Sequence, residues 1–214
     1  PIYTISPVVS KRLKEFNGFD SQYLCPPLNN PELFYFKEYG DFVFYPSRVN
    51  HSKRQHIAIE AMRYVKTDVK LVIAGKGDTK EDEELLHSLI DKYQLSSKVK
   101  YICRFISEQE KADLFASCLA AIYLPVQEDY GYVTLEAFAS QKTVITFSDS
   151  GGTDLVVKND LTGIVTEPDP KELAHAIDTL YNDRKKAREL AMNAPLLLDK
   201  LGINWKTIIE RLVK

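Results

Sequence analysis

The chain has 214 residues, 44% of them hydrophobic, enough to fill a sizeable core in one large domain or two small ones. Its 28 basic and 30 acidic residues leave a net charge of −2, so no bulk positive field speaks for nucleic acid as a partner. Three widely spaced cysteines, Cys25, Cys103 and Cys118, argue against a disulfide framework or a zinc site and fit a reducing cytoplasm, while no apolar run approaches the roughly 18 residues of a membrane helix and no signal-peptide pattern opens the chain.

The chain starts at Pro1 and enters directly into Ile2-Tyr3-Thr4-Ile5-Ser6, which reads as a domain cut from a longer protein. Ser6-Pro7 predicts a short helix ending near Gly18, and Tyr23-Leu24-Cys25 then runs into Pro26-Pro27 and a polar stretch. Residues 1–40 therefore read as the tail of a preceding domain and a linker. From Asp41 onward, short β-branched or aromatic runs alternate with segments of helical period, the pattern of a parallel sheet with crossover helices.

The strands are expected at Phe42 to Tyr45, Lys70 to Ala74, Val99 to Ile102, Ala121 to Leu124, Thr143 to Phe147 and Gly163 to Val165. Helices are expected at Gln55 to Val65, Glu81 to Tyr93, Glu108 to Ser117, Val133 to Ser140 and Pro170 to Tyr181. Ser107 with Glu110 reads as a capping box, and Asp169 reads as an N-cap before Pro170. The fold class is α/β, a Rossmann-like parallel sheet of about six strands with helices on both faces, occupying residues 41–200. Asn204 can cap a last amphipathic helix, Trp205 to Lys214, within a terminal segment 201–214.

In such a sheet ligands sit beyond the carboxyl ends of the strands. After the first strand, Arg48 and Lys53 stand five residues apart in a loop opening a helix, where positive charge suits a phosphate or diphosphate; two solvated surface cations are the plain alternative. After the second strand, Gly75-Lys76-Gly77 lets the backbone pass close to a ligand, although a simple strand-to-helix turn is the commoner use of such glycines. After the fourth strand, Pro125 to Ala137 carries Glu128 and Glu136 eight apart around a loop containing Tyr130-Gly131-Tyr132. The loop offers backbone amides at a helix N-terminus, and the carboxylates can accept from sugar and ribose hydroxyls. Glu128 and Asp129 taken alone fit simple complementation of a helix dipole, which does not account for Glu136 among Leu135, Ala137 and Phe138. The loop Ser148 to Thr153 either borders the same cleft or is a tight connection.

The order Arg-x4-Lys, Gly-x-Gly, Glu-x7-Glu with an internal aromatic-Gly, and Gly-Gly resembles the family-4 retaining glycosyltransferases of the GT-B fold. The resemblance spans nearly all of Ser6 to Lys214. Ser6 to Leu13 looks like the last helix of such an enzyme's N-terminal domain, Pro26-Pro27-Leu28 like the interdomain linker, and Leu161 to Val165 like a late strand of the family. It implies that Arg48 and Lys53 neutralise the donor diphosphate, that the backbone at Gly131 and Tyr132 contacts sugar or phosphate, and that Glu128 reads the donor sugar while Glu136 holds the ribose. The base would pack near Arg104-Phe105-Ile106. Glu128, Arg48 and Lys53 are the catalytic residues on this reading, and Gly75, Phe105, Ile106, Tyr130, Gly131, Tyr132 and Glu136 complete the donor site.

The implied reaction transfers a sugar from a nucleotide diphosphate with retention, in cell-surface polysaccharide or glycolipid synthesis. No Asp-x-Asp motif occurs in the sequence, and neither a metal nor a cofactor is expected. The implied partners are the nucleotide sugar and an absent N-terminal domain, against which the final helix packs; this chain alone would bind without turnover. A cytoplasmic protein is expected, with any peripheral contact with the inner membrane face lying mostly in the absent domain. Where the family usually shows Glu-Gly-Phe-Gly and Gly-Arg, this chain has Glu128-Asp129-Tyr130-Gly131 and Ser47-Arg48, so Asp129 is expected to add negative charge beside the phosphate site. A non-enzymatic nucleotide-sugar-binding module and a nucleotide-sugar epimerase of the same fold remain as alternatives. A dinucleotide oxidoreductase is disfavoured, since Pro46-Ser47-Arg48 stands where Gly-x-Gly-x-x-Gly would follow the first strand.

Overall fold

The computed structural model describes residues 1–213. A small leading unit comes first: β1 (Tyr3–Thr4), α1 (Pro7–Asn17) and β2 (Gln22–Tyr23), with β1 and β2 paired in parallel. Helix α1 starts where Ser6 caps the Val9 amide and ends at Gly18, whose φ of 75° is a left-handed conformation that costs glycine little. The two-stranded pairing was not evident in the sequence, because two-residue strands leave no periodicity to read.

The main sheet follows: β3 (Phe42–Pro46), α2 (Gln55–Ala61), β4 (Lys70–Ala74), α3 (Lys80–Lys92), β5 (Val99–Ile102), α4 (Glu108–Ser117), β6 (Ala120–Ile122), α5 (Tyr132–Ala139), β7 (Thr143–Phe147), β8 (Gly163–Thr166) and α6 (Pro170–Asn182). All six strands are parallel, in the order β5-β4-β3-β6-β7-β8. This is a doubly wound sheet whose order reverses between β3 and β6, and a crevice opens there at the carboxyl ends. The central strands carry the burial that a two-sided sheet demands: β6 and β7 are buried at every position. One face is covered by α2, α3 and α6, the other by α4, α5 and α7 (Arg184–Lys200), as their mutual contacts show.

Most expected elements are present with shifted ends. The helix expected to reach Val65 stops at Ala61, and tighter turns, Met62 N to Ile59 O and Tyr64 N to Ala61 O, carry the chain on. The fourth strand is Ala120–Ile122 rather than Ala121 to Leu124, because the Leu124 amide leaves the ladder to donate to the Tyr45 hydroxyl at 2.9 Å. Ser107 caps the Glu110 amide, but the Glu110 carboxylate does not return to complete a box; it is paired with Arg104. The 17-residue helix α7 was not expected. Pro195 lies inside it, and its buried face is made of Ala187, Leu190, Ala191 and Ala194, small residues that give a weak apolar signal.

The stretch 34–40 is packed on the main body. Phe34 meets the Phe115 ring edge-on, Lys37 N donates to Ala116 O at 2.9 Å, and the fully buried Lys142 donates to Lys37 O at 2.8 Å between the Phe36 and Tyr39 rings. The last helix, α8 (Trp205–Leu212), begins at Asn204, which caps the Thr207 amide. It returns to the leading segment: Trp205 Nε1 donates to Leu28 O at 3.2 Å, and Arg211 donates to Tyr23 O and Gln22 Oε1. Ile209 and Leu212 stay more than half exposed. All three cysteines are unpaired. Among the described residues no helix is long and apolar enough to cross a membrane.

Candidate functional site

The crevice at the reversal point is a cleft of about 550 Å³. Its floor is the carboxyl ends of β3 and β4, and its walls are the loop after β5, helix α4 and the loop leading into α5. Of the expected site residues, Arg48, Gly75, Phe105, Ile106, Glu128, Tyr130, Gly131, Tyr132 and Glu136 all line it. Lys53 stands one layer behind, with its ammonium on Glu128.

Glu128 is placed by its backbone before its side chain matters. Its amide donates to Ser150 O at 3.0 Å and its carbonyl accepts from Gly152 N at 2.6 Å, so the 127–129 loop is clamped against the Gly151-Gly152 turn. A Cβ on Gly152 would lie 2.3 Å from Asp129 O, so glycine is required there by this close approach. The 148–153 loop therefore supports the cleft from behind, and its glycines line a second depression beneath α1.

The Glu128 carboxylate takes the Lys53 ammonium and the Tyr123 hydroxyl, the latter at 2.6 Å, and Lys53 also donates to the Tyr123 oxygen at 3.1 Å. Burial pushes this carboxyl upward, but the two donors outweigh it and hold it below the usual glutamate range. Burial and the adjoining carboxylate push the Tyr123 phenol far above its ordinary value, so it is a firm donor. Tyr123 gives no sign of this role in the sequence, because it falls inside the expected strand Ala121 to Leu124 and reads as core.

At the other end, Glu136 is 9% exposed on α5. One of its oxygens accepts from Lys111 Nζ at 2.7 Å, and Lys111 also reaches Glu108 at 2.9 Å. Burial here prevails and raises the Glu136 carboxyl, with Lys111 opposing. Between the two carboxylates, α5 opens at Gly131, whose φ is 85°, and no side chain caps it. Thr134 N donates back to Gly131 O at 3.0 Å, so the Tyr132 and Val133 amides are the ones left without a partner within the helix, and such amides attract negative charge.

Arg48 stands at the rim with a 66% exposed side chain and a 3.2 Å contact to Asp78. Lys76, between the two glycines of the Gly75-Lys76-Gly77 turn, is exposed at the same rim. Gly75 has a local reason to be glycine: a Cβ would fall 1.8 Å from Ser47 O, so it lets two loops pack together. Phe105 is 72% exposed and offers a flat apolar surface, while Ile106 packs on the core. Tyr130 is buried, and its hydroxyl donates to Pro26 O at 2.8 Å, tying the loop to the linker.

Two further residues explain how the loops hold their shape. Arg54, in a left-handed conformation with φ of 58°, donates to both oxygens of Asp149 and to the carbonyls of Leu124 and Pro125. It joins the ends of β6 and β7. Asp129, expected to add negative charge beside a phosphate, does line the cleft, and it is ion-paired with Arg12 of α1, which also donates to Gln127 O at 2.8 Å. Among the described residues no group of three or more His, Cys, Asp and Glu side chains is gathered as for a metal.

A family profile described as glycosyl transferases group 1 matches residues 34–196. The chain is 32% identical over 158 residues to the alpha-1,3/1,6-mannosyltransferase ALG2 of Dictyostelium discoideum, covering 69% of this chain and 37% of that protein. The chain thus spans little more than a third of the length of that curated relative. In fold it resembles Anabaena Alr3699/HepE, crystallised in complex with UDP and glucose, with a TM-score of 0.87 at 22% identity over 99% of this chain and 62% of that one. It also resembles the C-terminal domain of a group 1 family protein, LpcC, from Francisella tularensis, with a TM-score of 0.69 at 21% identity over 79% of this chain and 96% of that one.

Proposed function

This chain belongs to the group 1 glycosyl transferases, and from that membership we propose that it is the donor-binding half of a retaining enzyme. That enzyme moves a sugar from a nucleotide diphosphate to an acceptor in cell-surface polysaccharide or glycolipid synthesis. The mannosyltransferase relative and the UDP-bound fold neighbour support a nucleotide sugar as donor. The observation that carries the reading is the cleft itself: an uncapped helix N-terminus lies between two lysine-held carboxylates, with cations at the rim.

On this reading the diphosphate lies over the start of α5, where the Tyr132 and Val133 amides, Arg48 and Lys76 meet its charge. The ribose hydroxyls donate to Glu136, and the base rests against Phe105 and Ile106. Glu128 faces the sugar, and Lys53 with Tyr123 keeps that carboxylate ionised and oriented, so it accepts from sugar hydroxyls as the anomeric bond lengthens. Negative charge growing on the departing diphosphate is met by groups already in place, the usual source of most of an enzyme's rate. The cations and helix amides do this without a divalent ion.

The acceptor pocket belongs to the other half of the enzyme, so this chain by itself binds donor and does not turn over. Helix α8, which returns to the leading segment with Ile209 and Leu212 exposed, supports a seam with that half. The same reading makes the whole enzyme cytoplasmic, with any contact at the inner face of the membrane made mostly by its other half.

The test is thermal stability of this chain against UDP, GDP, ADP, CMP and TDP and their common sugars, with and without EDTA. At ligand about 100 times the dissociation constant, a bound nucleotide adds about 2.7 kcal/mol. The expected result is a shift with one nucleotide family, unchanged by EDTA and lost in Glu136→Ala. No shift with any nucleotide would count against the cleft as a donor site.

A further inference from the structure

Lys111 has no part in the residue pattern that marks the cleft, yet it faces the cleft wall and is 83% withdrawn from solvent by the 17% exposure of its side chain. Its Nζ is fixed from two sides: Glu136 Oε1 lies at 2.7 Å across the gap between α4 and α5, and Glu108 Oε2 lies at 2.9 Å on its own helix. A lysine on a solvated helix face does not hold one geometry, because its four-carbon stem keeps its rotamer freedom. Here two carboxylates remove that freedom. Glu136 in turn has one oxygen on Lys111, and its Oε2 makes no protein hydrogen bond among the described residues. The pair leaves one carboxylate oxygen and one ammonium N–H unspent at the cleft wall.

We infer that Lys111 is the positioning residue of the nucleotide subsite, holding Glu136 so that its free oxygen accepts from the ribose diol. This rests on the reading of the cleft as a donor site. Without Lys111, Glu136 would be a buried carboxylate with no cation, free to change rotamer and inclined to take up a proton. A protonated or turned-away Glu136 cannot accept from two ribose hydroxyls. The charged and titratable groups that act on Glu136 are Lys111 and Glu108 from α4 and the Tyr123 phenol from the end of β6. Tyr123 is already committed to Glu128, so Lys111 is the sole cation of this set.

The experiment is calorimetric titration of UDP, GDP and ADP onto this chain and its variants. The tightest binder is then compared with its 2′,3′-dideoxy counterpart. Lys111→Met keeps the apolar stem and removes the ammonium. It is expected to weaken the ribonucleotide about tenfold near neutral pH, the loss of one hydrogen bond to a charged group, while changing the dideoxynucleotide less than about twofold. Its ribonucleotide affinity should recover as pH rises and Glu136 loses its proton, at a higher pH than in the parent chain, and Lys111→Arg should restore most of the loss. Equal losses for both nucleotides would mean that Lys111 only braces α4 against α5, and no loss for either would mean that Glu136 needs no help; both overturn the inference. Absence of binding by the parent chain overturns the donor-site reading itself and is seen before any variant is made.

Discussion

The two ends of the cleft are built from the same parts and behave in opposite ways. Glu128 and Glu136 are both withdrawn carboxylates, 18% and 11% exposed at the side chain, and each is held by a lysine of 17% side-chain exposure. Yet Glu128 is held below its ordinary range and Glu136 is raised above it. Burial raises both carboxyls and is the largest influence on each; it prevails at Glu136 and is outweighed at Glu128, and a third group at each end adds to that balance. At Glu128 it is the Tyr123 hydroxyl, a second donor at 2.6 Å; at Glu136 it is Glu108, a second negative charge that shares the lysine. A buried ion pair does not set the charge state of a carboxylate by itself; the depth of burial and what else touches the pair decide it together.

The largest effect is expected at Lys53. Lys53→Met strands Glu128 on Tyr123 alone and should lower unfolding stability by about 3 kcal/mol, read by urea denaturation. A loss below about 0.5 kcal/mol would show the pair to behave as a surface bridge. Tyr123→Phe is milder. It removes one hydrogen bond to a charged group, should cost about 1.5 kcal/mol, and should move the Glu128 titration upward toward the behaviour of Glu136, followed by carboxyl NMR. An unmoved titration would assign the difference between the two ends to burial instead.

The smallest effects are in pH dependence, and their signs are opposed. Glu128 is lowered in the folded state, so its contribution is complete above the ordinary glutamate value and is lost as pH falls through the depressed one. Glu128→Gln should therefore flatten the acid limb of stability. Glu136 is raised, so the folded state is favoured below the ordinary value, and that advantage is lost as pH rises through the raised one. Glu136→Gln should flatten a limb that slopes the other way. Slopes of the same sign from the two variants would contradict the contrast.

What the sequence made legible follows from what is local. The parallel strands, the caps at Ser6, Asp169 and Asn204, and the run from Glu128 to Glu136 each lie within a dozen residues. The partners that give the site its character are distant: Lys53 is 75 residues from Glu128, Lys111 is 25 from Glu136, and Arg12 is 117 from Asp129. Lys111 occupies an ordinary polar position on an amphipathic helix, and only the packing of α4 on α5 turns it toward a carboxylate. Arg54 is equally silent in sequence, since a lone arginine gives no sign that it will join two loops from a left-handed backbone. Helix α7 was hidden for a different reason, as Pro195 and an alanine face weaken both helix signals at once.

Binding of a nucleoside diphosphate in the crevice between β3 and β6, as proposed, can be read directly by amide NMR mapping of UDP, GDP and ADP onto this chain. A single nucleotide is expected to move Ser47 and Arg48, the amides of Gly131, Tyr132 and Val133, and Phe105 with Ile106 as one set. Movements confined to the depression between α1 and the Gly151-Gly152 turn, or none with any of the three, would contradict it.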